Sequence, residues 1–596
     1  MIDDKSKRLH FGNTISSYFH AMKRFSPVLF FSLVILFSKC KNNDGFTSAP
    51  PRNVVISVPD SFNVAVVAEQ TGRARHIAVS SNGDIYVKLR SPNPKGIMVL
   101  RDENNDGKAD KTEVFGDYED TGEYGTGMRI YRGYLYFSTA GEVYRIKLTD
   151  GEMVPKGKVE LIMKDDYKND PHGYEHIAKP ITFDNDGHLY VQFGAPGDMC
   201  QLNNRKPGEA GQSPCPQLED HGGVWQFDAN KLNQTQKEGK RYATGIRSIV
   251  GMDWNPANNT LYALQHGRDD LHRTWPALYT PWQSAVLPSE EFLKVTEGSD
   301  AGWPYYYYDQ FQKKKILNPE YGGDGKKTGE GDKLNQPIVA FPGHWAPNDL
   351  LFYTGDQFPD RYKNGAFIAF HGSTIRAPYP QAGYFIGFVP FKDGMPSGEF
   401  EVFADGFAGV DTIVNTSDAA YRPMAVAMGP DGSLYVGESE QGKIWKITYK
   451  GDKTKFSDQQ LVKMEQHKNL PHIKNPDEVA DNLNAGKGGK GSEVYFSYCS
   501  TCHQANGEGD GNRFPPLAES EWVNGNRDRL IGVVLNGLQG EVKVKDKTYN
   551  NPMPAHNFLS DEDVAEVLTY IRKTFNNNNN AITAKEVKAV RDKTAK

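Results

Sequence analysis

The sequence has few cysteines, no strong excess of charge and no long hydrophobic run. Its 596 residues include five cysteines, and 69 basic residues against 75 acidic ones give a net charge of −6. This near balance argues against a dedicated nucleic-acid-binding protein. The apolar run from Pro27 to Phe37 is shorter than a membrane-spanning helix requires. A chain of this length is instead expected to fold into two or more domains.

That apolar run has the features of an export signal. It follows two basic residues, and Cys40 comes shortly after it. A cysteine in this position resembles a lipoprotein processing site, although Lys39 stands where a small residue is usual. We expect residues 1–40 to be a signal peptide with lipidation at Cys40, and residues 41–53 to be a tether. Ordinary cleavage beside an unmodified cysteine is the alternative.

Two of the other cysteines belong to a compact motif near the C-terminus. Cys499, Cys502 and His503 form the pattern C-x-x-C-H. This spacing suits covalent haem attachment, in which two thioethers hold the porphyrin and the imidazole ligates the iron. A redox or zinc-binding C-x-x-C motif beside an incidental histidine is the alternative. Downstream, Met553 is bracketed by prolines, and a helix is predicted to follow Ser560 as its N-cap.

These residues resemble a class I cytochrome c domain, a small all-α fold, over about Gly488 to Phe575. The resemblance implies that His503 and Met553 are the axial ligands of a haem c iron. A thioether ligand raises the iron potential, which suits an electron acceptor. A core methionine is the alternative interpretation of Met553, but its flanking prolines disfavour packing in a core.

The remaining cysteine pair indicates the compartment. Cys200 and Cys215 flank a polar loop that contains glycine and proline, and we expect them to form a disulfide bond. Disulfides and covalent haem both belong outside the cytoplasm. With the N-terminal signal, they predict an exported protein in the periplasm or at the outer membrane, held to a membrane by its lipid.

A turn followed by an apolar–aromatic strand recurs through the first 450 residues. Each copy alternates apolar and polar residues after a glycine or asparagine turn, as a half-buried strand does. The copies come about 70 residues apart on average, which predicts a six-bladed β-propeller over residues 54–449. An irregular array of β-sandwiches is the alternative. The six copies centre on Tyr86, Tyr136, Tyr190, Tyr262, Ile368 and Tyr435.

The rest of the chain divides by composition. Residues 450–487 are charged, have little apolar periodicity and are interpreted as a linker. The cytochrome c domain is assigned to residues 488–575. Residues 576–596 begin with a run of asparagines and continue rich in lysine, so we expect a disordered tail.

Three segments that precede predicted inner strands carry chemically useful side chains. His176, Arg247 and Arg422 lie eight or nine residues before the turns of their repeats. If the repeats are in register, all three meet at one mouth of the propeller. A histidine with two arginines suits a general base beside an anionic cofactor. Taken singly, each is equally well interpreted as a surface or hydrogen-bonded residue.

Longer motifs give a family resemblance over about Val54 to Tyr449. The segments "GIRSIVGMDWNPANNTLYALQHGRDDL", "EEFLKVTEGSDAGWPYYYYD", "FIAFHGSTIRAP" and "MAVAMGPDGSLYVGESEQGKIWKI" resemble the glucose/sorbosone dehydrogenase family. Members of that family are six-bladed propellers that oxidise sugars with pyrroloquinoline quinone (PQQ) and calcium. The resemblance implies that His176 is the catalytic base and that Arg247 lies beside the quinone oxygens. It also implies that the backbone carbonyls of Gly267 and Arg268 bind the catalytic calcium.

The same resemblance implies two further cofactor contacts. Arg422 matches a partner of a cofactor carboxylate, and His371 stands where the glucose-oxidising branch has a lysine, as in the sorbosone-like branch. Ser248 and Met424 depart from the family pattern, which has an asparagine and a second carboxylate-binding arginine at those positions. These departures argue against glucose as the substrate.

A separate pattern predicts a structural calcium site. The stretch "DENNDGKADKTE" places oxygen ligands at the positions used by a twelve-residue calcium loop. Because the preceding segment reads as a strand, the site would be a clip within a blade. A solvated acidic turn is the alternative. The predicted ligands are the side chains of Asp102, Asn104, Asp106, Asp110 and Glu113 and the carbonyl of Lys108.

Together the motifs and the family resemblance imply an enzyme with PQQ, calcium and haem c as cofactors. An aldose-like sugar is oxidised in the propeller, and electrons pass singly to the haem and then to an external acceptor such as a cytochrome or a respiratory chain. The alternative is an electron-transfer lipoprotein whose propeller binds carbohydrate or protein without a quinone.

Overall fold

The structure is a computed structural model. The residues that it describes are 54–90, 96–116, 118, 126–165, 169, 173, 175–410, 412–413, 416–476, 489–504, 506–509, 514–550, 553 and 555–594. The expected signal peptide, Cys40 and the tether lie outside them. Over these described ranges no helix has the length and apolar character needed to span a membrane.

Six antiparallel four-stranded sheets form the blades of a β-propeller, as predicted. The chain enters through β1 (Phe62–Ala68). Blade one contains β2 (Ala74–Val79), β3 (Ile85–Leu89), β4 (Ile97–Arg101) and β5 (Lys111–Phe115). Blade two contains β6 (Met128–Tyr131), β7 (Tyr134–Ser138), β8 (Glu142–Lys147) and β9 (Glu160–Lys164). Blade three contains β10 (Ile181–Phe183), β11 (His188–Phe193), β12 (Gly223–Asp228) and β14 (Lys240–Thr244), while β13 (Gln234–Thr235) extends blade two.

The other three blades follow in the same order. Blade four contains β15 (Ile249–Asn255), β16 (Thr260–Gln265), β17 (Glu290–Val295) and β21 (Val339–Phe341). Between its strands lie β18 (Ser299–Asp300), which extends blade three, and the hairpin of β19 (Tyr306–Asp309) and β20 (Lys314–Leu317). Blade five contains β22 (Pro347–Phe352), β23 (Ala366–Phe370), β24 (Phe385–Val389) and β27 (Glu401–Ala404), with a small hairpin of β25 (Phe391–Lys392) and β26 (Met395–Pro396). Blade six contains β28 (Pro423–Met428), β29 (Leu434–Glu438) and β30 (Ile444–Tyr449).

The ring is closed by pairing the first strand with the last blade. β1 runs antiparallel to β30, with Phe62 opposite Tyr449, and becomes the outer strand of blade six. The innermost strands β2, β6, β10, β15, β22 and β28 each contact the next around the axis. Opening the ring therefore requires breaking a strand pairing as well as separating two blades.

The six repeat residues explain why the sequence folds into blades. Each lies on the second strand of its blade and is buried: Tyr86, Tyr136, Tyr190, Tyr262, Ile368 and Tyr435. These strands are buried almost throughout rather than on one face, as the uniformly buried β3, β23 and β29 show. Because every blade is covered on both faces by its neighbours, both faces are apolar. Burial of this kind contributes roughly 25 cal/mol per Å² of apolar surface.

A buried ionic contact joins three blades near the axis. The carboxylate of Asp349 on β22 accepts from Arg129 Nη2 of β6 at 3.0 Å and from the main-chain N–H of Val426 on β28 at 2.9 Å. Asp349 is fully buried, so its charge depends on these donors.

Part of the predicted linker packs against the propeller. We call residues 453–476 the strap; they contain short 3₁₀ turns and helix α3 (Val462–His467), numbered after α1 and α2 below. Met464 and Ile473 of the strap are buried in the apolar cluster of blades four and five. The linker prediction therefore fails for this segment, because its few apolar residues are the ones that dock. Residues 477–488 lie outside the described residues.

The remaining described helices are listed here in chain order. α1 (Leu271–Thr274) and α2 (Pro281–Val286) form an insert in blade four. The C-terminal domain contains α4 (Gly489–Tyr498), α5 (Ser500–His503), α6 (Glu521–Asn524), α7 (Arg527–Asn536), α8 (Asp561–Lys573) and α9 (Ala584–Thr594), with a short hairpin of β31 (Val542–Val544) and β32 (Lys547–Tyr549).

The C-terminal domain is a small helical domain, as predicted. Ser560 caps α8, since its hydroxyl accepts from the main-chain N–H of Asp563 at 3.0 Å. α4 and α8 cross closely at Gly491, where a Cβ would overlap the carbonyl of Glu566. The glycine thus allows the two helices to pack.

The C-terminal tail was predicted to be disordered, and this prediction is wrong for most of it. α9 packs on α7 and α8, with Val587 and Val590 buried. Arg591 Nε of α9 donates to Asp561 Oδ1 at 2.7 Å. The two valines lie three residues apart and give α9 a buried apolar face. The lysine-rich composition of the segment did not indicate this face.

Candidate haem and cofactor sites

The four predicted haem residues line one cavity in the C-terminal domain. Cys499, Cys502, His503 and Met553 all lie in the wall of this cavity. The other walls are mostly apolar and exclude water, which raises the potential of an enclosed iron. These walls include Phe514, Leu517, Val523, Leu530, Val534, Leu568 and Ile571.

The imidazole of His503 is oriented for iron. Its Nδ1 lies 2.9 Å from the carbonyl oxygen of Pro515. A carbonyl only accepts, so Nδ1 carries the proton and Nε2 is the nitrogen available to a metal. Such a hydrogen bond also fixes the plane of the ring. The arrangement matches the axial role that the sequence assigned to His503.

The thiols do not resemble those of a zinc or redox motif. Burial, followed by the neighbouring Cys502, raises the pKa of Cys499 to about 12. Reactive or zinc-binding cysteines need a lowered pKa. Among the described residues no group of three or more metal-binding His, Cys, Asp or Glu side chains exists. The C-x-x-C-H spacing is what favours thioether attachment to haem c.

Met553 lines the same cavity and is held there by its backbone. Its N–H donates to the Leu538 carbonyl at 2.8 Å, and the Leu538 N–H donates back at 3.0 Å. This isolated bridge fixes a methionine that lies outside any helix. The flanking prolines lie outside the described residues.

In the propeller, His176 lies in the segment that leads into β10. Its Nδ1 is 2.7 Å from the carbonyl oxygen of Ala195, so Nδ1 carries the proton and Nε2 is left to accept one. Burial, and then the charge of Arg247, lower the pKa of His176 to about 3. A Cβ at Gly194 would overlap the His176 carbonyl, so that glycine is needed for this approach. The ring is therefore a neutral proton acceptor at ordinary pH.

Arg247 leads into β15 and lies beside His176. Its Nη2 pairs with Asp198 Oδ1 at 2.6 Å, and both side chains are buried. Although burial would raise the pKa of Asp198, Arg247 and Arg205 lower it well below its usual range. Arg247 Nε is buried and has no hydrogen-bond partner. An anion beside this guanidinium would satisfy it.

Asp198 is a site residue that the sequence analysis missed. It lies next to the loop closed by Cys200 and Cys215, which form a disulfide bond with their Cα atoms 6.0 Å apart. The position of Asp198 two residues before the first of these cysteines was the available signal. The bond anchors the start of the loop that carries the carboxylate to Arg247.

The Gly267 carbonyl, predicted to bind calcium, has a hydrogen bond from protein. Arg247 Nη1 donates to it at 2.8 Å. The Arg268 side chain is buried and pairs with Glu320 at 2.6 Å, which fixes the segment. A calcium ion at this carbonyl would have to displace or share the oxygen with a guanidinium.

Arg422 and His371 contact each other and are not two separate cofactor ligands. Arg422 Nη2 lies 3.0 Å from His371 Nδ1 and also donates to the Gly372 carbonyl at 2.6 Å. His371 Nε2 lies 2.7 Å from Ser439 Oγ. His371 Nδ1 also lies 3.2 Å from the Gly372 carbonyl oxygen, so this nitrogen faces both a donor and an acceptor. Burial, and then Arg422, hold the pKa of His371 well below its usual range.

The part of the site around His176 and Arg247 is connected to the part around Arg422 and His371 by residues that the sequence analysis did not single out. Burial is the main cause of the lowered pKa of His266 and of His371, and the charge of Arg75, in blade one, adds to both shifts. Arg247 also lowers the pKa of His266. His176, Arg247 and Arg422 each precede the innermost strand of a blade, β10, β15 and β28, so they share one end of the propeller. Arg75 lies seven residues before the turn at Asn82, close to the register of His176, so the repeat contained the signal.

Both departures from the family pattern lie at this end. Ser248 is buried next to Arg247. Met424 is buried on β28, with its sulfur 3.3 Å from Asn348 Nδ2. A thioether supplies no charge, so this position lacks the positive charge that the family pattern has there.

In the predicted structural calcium loop, the acidic side chains accept hydrogen bonds from main-chain amides of the loop itself. Asp102 accepts from the main-chain N–H of Gly107 at 2.8 Å, and Asp110 accepts from that of Glu103 at 2.9 Å. Asn104 bonds to Asp110 at 2.9 Å. Asp106, Lys108 and Glu113 also lie in this exposed stretch, and the structural calcium site stays a prediction.

Comparison with known proteins identifies two matches along the chain. Residues 56–450 match the family described as TrAA12-like, and residues 489–575 match cytochrome c. The haem region is 39% identical over 112 residues to cytochrome c-552 of Thermus thermophilus, covering 17% of this chain and 85% of that protein.

Two relatives match the propeller. An aldose sugar dehydrogenase of Escherichia coli, YliI, is 24% identical over 281 residues, which are 46% of this chain. The chain spans 51% to 60% of the length of the curated relatives that match beyond the haem region. The holo PQQ domain of a pyranose dehydrogenase from Coprinopsis cinerea superposes with a TM-score of 0.52 at 16% identity, covering 67% of this chain and 98% of that domain. At that identity the superposition shows the fold alone.

Proposed function

Because the chain belongs to the TrAA12-like family and carries a cytochrome c domain behind its propeller, we propose that it is a quinoprotein oxidoreductase. The proposed substrate is an aldose-like sugar, oxidised at a hydroxyl or hemiacetal carbon. The electrons leave through haem c to an external acceptor. The observation that carries this proposal is the neutral, oriented imidazole of His176 beside the buried Arg247–Asp198 pair.

His176 is proposed as the general base. Its Nδ1–H is committed to the Ala195 carbonyl, so Nε2 is free to take the proton of a substrate hydroxyl. Arg247 lowers the proton affinity of the ring, and Asp198 balances the arginine. The ring therefore stays unprotonated without leaving an uncompensated buried charge.

The residues present fit an anionic cofactor such as PQQ. Arg247 offers its unpartnered Nε, and Arg422 and Arg75 add positive charge at the same end. When bound, PQQ supplies a two-electron acceptor for the hydride of the substrate. The carbonyls of Gly267 and Arg268 are proposed to hold its calcium. The proposed role of His371 is to orient Arg422 through its Nδ1.

The haem domain is the proposed route by which the electrons removed from the sugar leave the protein. Oxidation of one hydroxyl carbon to a carbonyl releases two electrons and two protons, whereas a haem iron accepts one electron at a time. Two successive reductions of the iron therefore need an external one-electron acceptor, such as a cytochrome or a respiratory-chain component, to re-oxidise it in between. One haem per propeller suffices because the two domains are covalently joined.

Export is part of the proposal. The signal-like run before Cys40, the Cys200–Cys215 disulfide and the covalent haem motif support a lipid-anchored location outside the cytoplasm, in the periplasm or at the outer membrane. Mass spectrometry of the mature N-terminus checks this: a diacylglyceryl-modified Cys40 is expected. An unmodified N-terminus elsewhere in the chain contradicts the lipid anchor.

The enzyme is tested by adding PQQ and calcium to the full haem-containing chain and assaying aldoses, ketoses and sugar alcohols with an artificial acceptor dye. We expect PQQ binding and dye reduction with at least one aldose. Binding of PQQ without turnover on any sugar contradicts the proposed reaction.

One observation favours a second candidate function. Arg247 donates to the Gly267 carbonyl, and Arg422 is bound to His371 and Gly372, so groups assigned to the cofactor already have protein partners. A propeller that binds carbohydrate or protein without quinone would retain these bonds. Equilibrium dialysis separates the two functions, because this module binds no PQQ.

A further inference from the structure

Blade four carries an insert that is continuous with the candidate cofactor site. α1 begins at Leu271, three residues beyond Arg268, and leads to α2. The main-chain N–H of His272 in α1 donates to Ser284 Oγ of α2 at 3.2 Å, which joins the two helices. At the base of the insert, Asp270 pairs with Arg205 at 3.2 Å. A group bound against this insert is therefore close to the site in sequence and in space.

The strap runs from blade five to this insert. At blade five, the carboxylate of Asp405 accepts from His467 Nδ1 at 2.6 Å and from His472 Nε2 at 2.9 Å. Asp405 and His472 are both buried. At the far end of the strap, Trp282 Nε1 of α2 donates to the carbonyl of Pro476 at 2.8 Å. The C-terminal part of the strap is thus fixed at His467, His472 and Pro476.

This path limits where the haem domain can lie. α4 begins at Gly489, and only residues 477–488 separate it from the fixed Pro476. Twelve residues span at most about 40 Å when fully extended. The haem domain is therefore confined to the neighbourhood of the insert, at a high effective concentration.

Charges on the insert act on the helix that carries the haem motif. Burial raises the pKa of Tyr498, the residue before Cys499, while Arg273 opposes this shift and Asp270 adds to it. Burial lowers the pKa of His272, and Glu493 of α4 opposes that shift. Two positions of α4 thus lie within the field of α1, in agreement with the path of the strap.

We propose that the α1–α2 insert is the docking surface for the haem domain, residues 489–594, and that the strap holds the domain there. Docking brings Tyr498 against the segment that continues from Gly267 and Arg268. The inference deepens the proposed function and rests on it for the electron-transfer role of the contact. The docking itself does not require turnover.

The test is the variant Arg273→Glu in the full haem-containing chain, with Lys147→Glu as a matched control. Arg273 has 32% of its side chain exposed, and Lys147 is exposed at the end of β8, so both variants are expected to fold. Hydrogen exchange is measured over Leu271–Thr274 and Gly489–Tyr498, since undocking exposes both. In Arg273→Glu we expect exchange to rise at least about fivefold in both segments, because a charge facing α4 is reversed.

The control and a second variant make the result decisive. Lys147→Glu is expected to leave both segments unchanged. Asp405→Asn, which cannot accept from both histidines as the carboxylate does, is expected to raise exchange in residues 453–476 and in α4. If exchange in α4 is unchanged in Arg273→Glu and in Asp405→Asn, the insert is not the docking surface.

Haem reduction separates this inference from the proposed function. In Arg273→Glu, sugar-driven haem reduction is expected to slow at least about tenfold, while direct reduction by ascorbate is unchanged. Equal sugar-driven rates despite increased exchange would remove the electron-transfer role and leave the docking. If the wild type shows no sugar-driven reduction, the proposed function fails, and hydrogen exchange still decides the docking.

Discussion

The haem site and the propeller site differ in how their functional residues are distributed along the chain. Three of the haem residues lie within Cys499–His503, so a single local motif indicates their chemistry. The propeller site draws residues from blades one, three, four, five and six, between Arg75 and Ser439. The first site depends on local spacing, whereas the second depends on closure of a ring. A change in the ring should therefore damage one site and spare the other.

The largest expected effect is removal of the haem attachment. Cys499→Ala with Cys502→Ala eliminates both thioether positions, so no covalently bound haem should survive denaturing electrophoresis with haem staining. Glu508→Ala, at an exposed position in the same motif region, is the control and should retain full staining. PQQ affinity should be unchanged in both, since the two sites use separate residues. Covalent haem in the double variant would contradict the assignment.

The next effect is loss of the proposed base. His176→Asn keeps a polar side chain but removes the proton acceptor, and kcat should fall by about 10²–10⁴-fold. PQQ affinity and ascorbate-reduced haem absorbance should stay close to wild type. His188→Asn, at a histidine with a 45% exposed side chain, is the matched control. A kcat within threefold of wild type, on the order of experimental scatter, would exclude His176 as the base.

A smaller effect tests whether the domains are independent in stability. Asp349→Ala removes the buried carboxylate and leaves Arg129 uncompensated, so the propeller should lose about 3–5 kcal/mol of unfolding free energy. Denaturant unfolding followed by tryptophan fluorescence measures this, while the haem absorbance band reports the C-terminal domain. Asp150→Ala, in an exposed turn, is the control. Equal losses in both signals would show that the two regions unfold as one unit.

The smallest effect concerns pH. The pKa of His176 is lowered to about 3, so the ring stays neutral as pH falls through the ordinary histidine range near 6.5. kcat/KM of the PQQ-loaded enzyme should therefore be flat from pH 8 to about 5 and decline only below that. A midpoint close to 6.5 would mean that the base is a histidine in an ordinary environment.

The sequence predicted the elements that repeat or lie in one motif. All six repeat residues lie on second strands, because each blade buries the same position between two neighbours. Asp198 was missed because it lies next to a disulfide loop that occurs once and has no periodicity. Arg75 was missed although it kept the register of the repeat. The contacts that these two residues make arise only when the ring closes, so their positions in the sequence do not reveal the partners.

In two segments outside the sites, the sequence composition also failed to reveal which residues are buried. The charged composition of the strap concealed Met464 and Ile473, which bind it to the propeller. The asparagine run before α9 concealed Val587 and Val590, which pack on the haem domain. In both, a few apolar residues at the right spacing outweighed the average composition, since burial is decided residue by residue.

The most direct test of the account is rapid mixing of the PQQ- and calcium-loaded, ferric full-length protein with an aldose that the dye assay identifies. The account predicts ferrous haem at a rate independent of protein concentration, because donor and acceptor sites are in one chain, and no ferrous haem in His176→Asn on the same timescale. A ferric haem in the wild type after many dye turnovers, or a rate that rises in proportion to protein concentration, would contradict it.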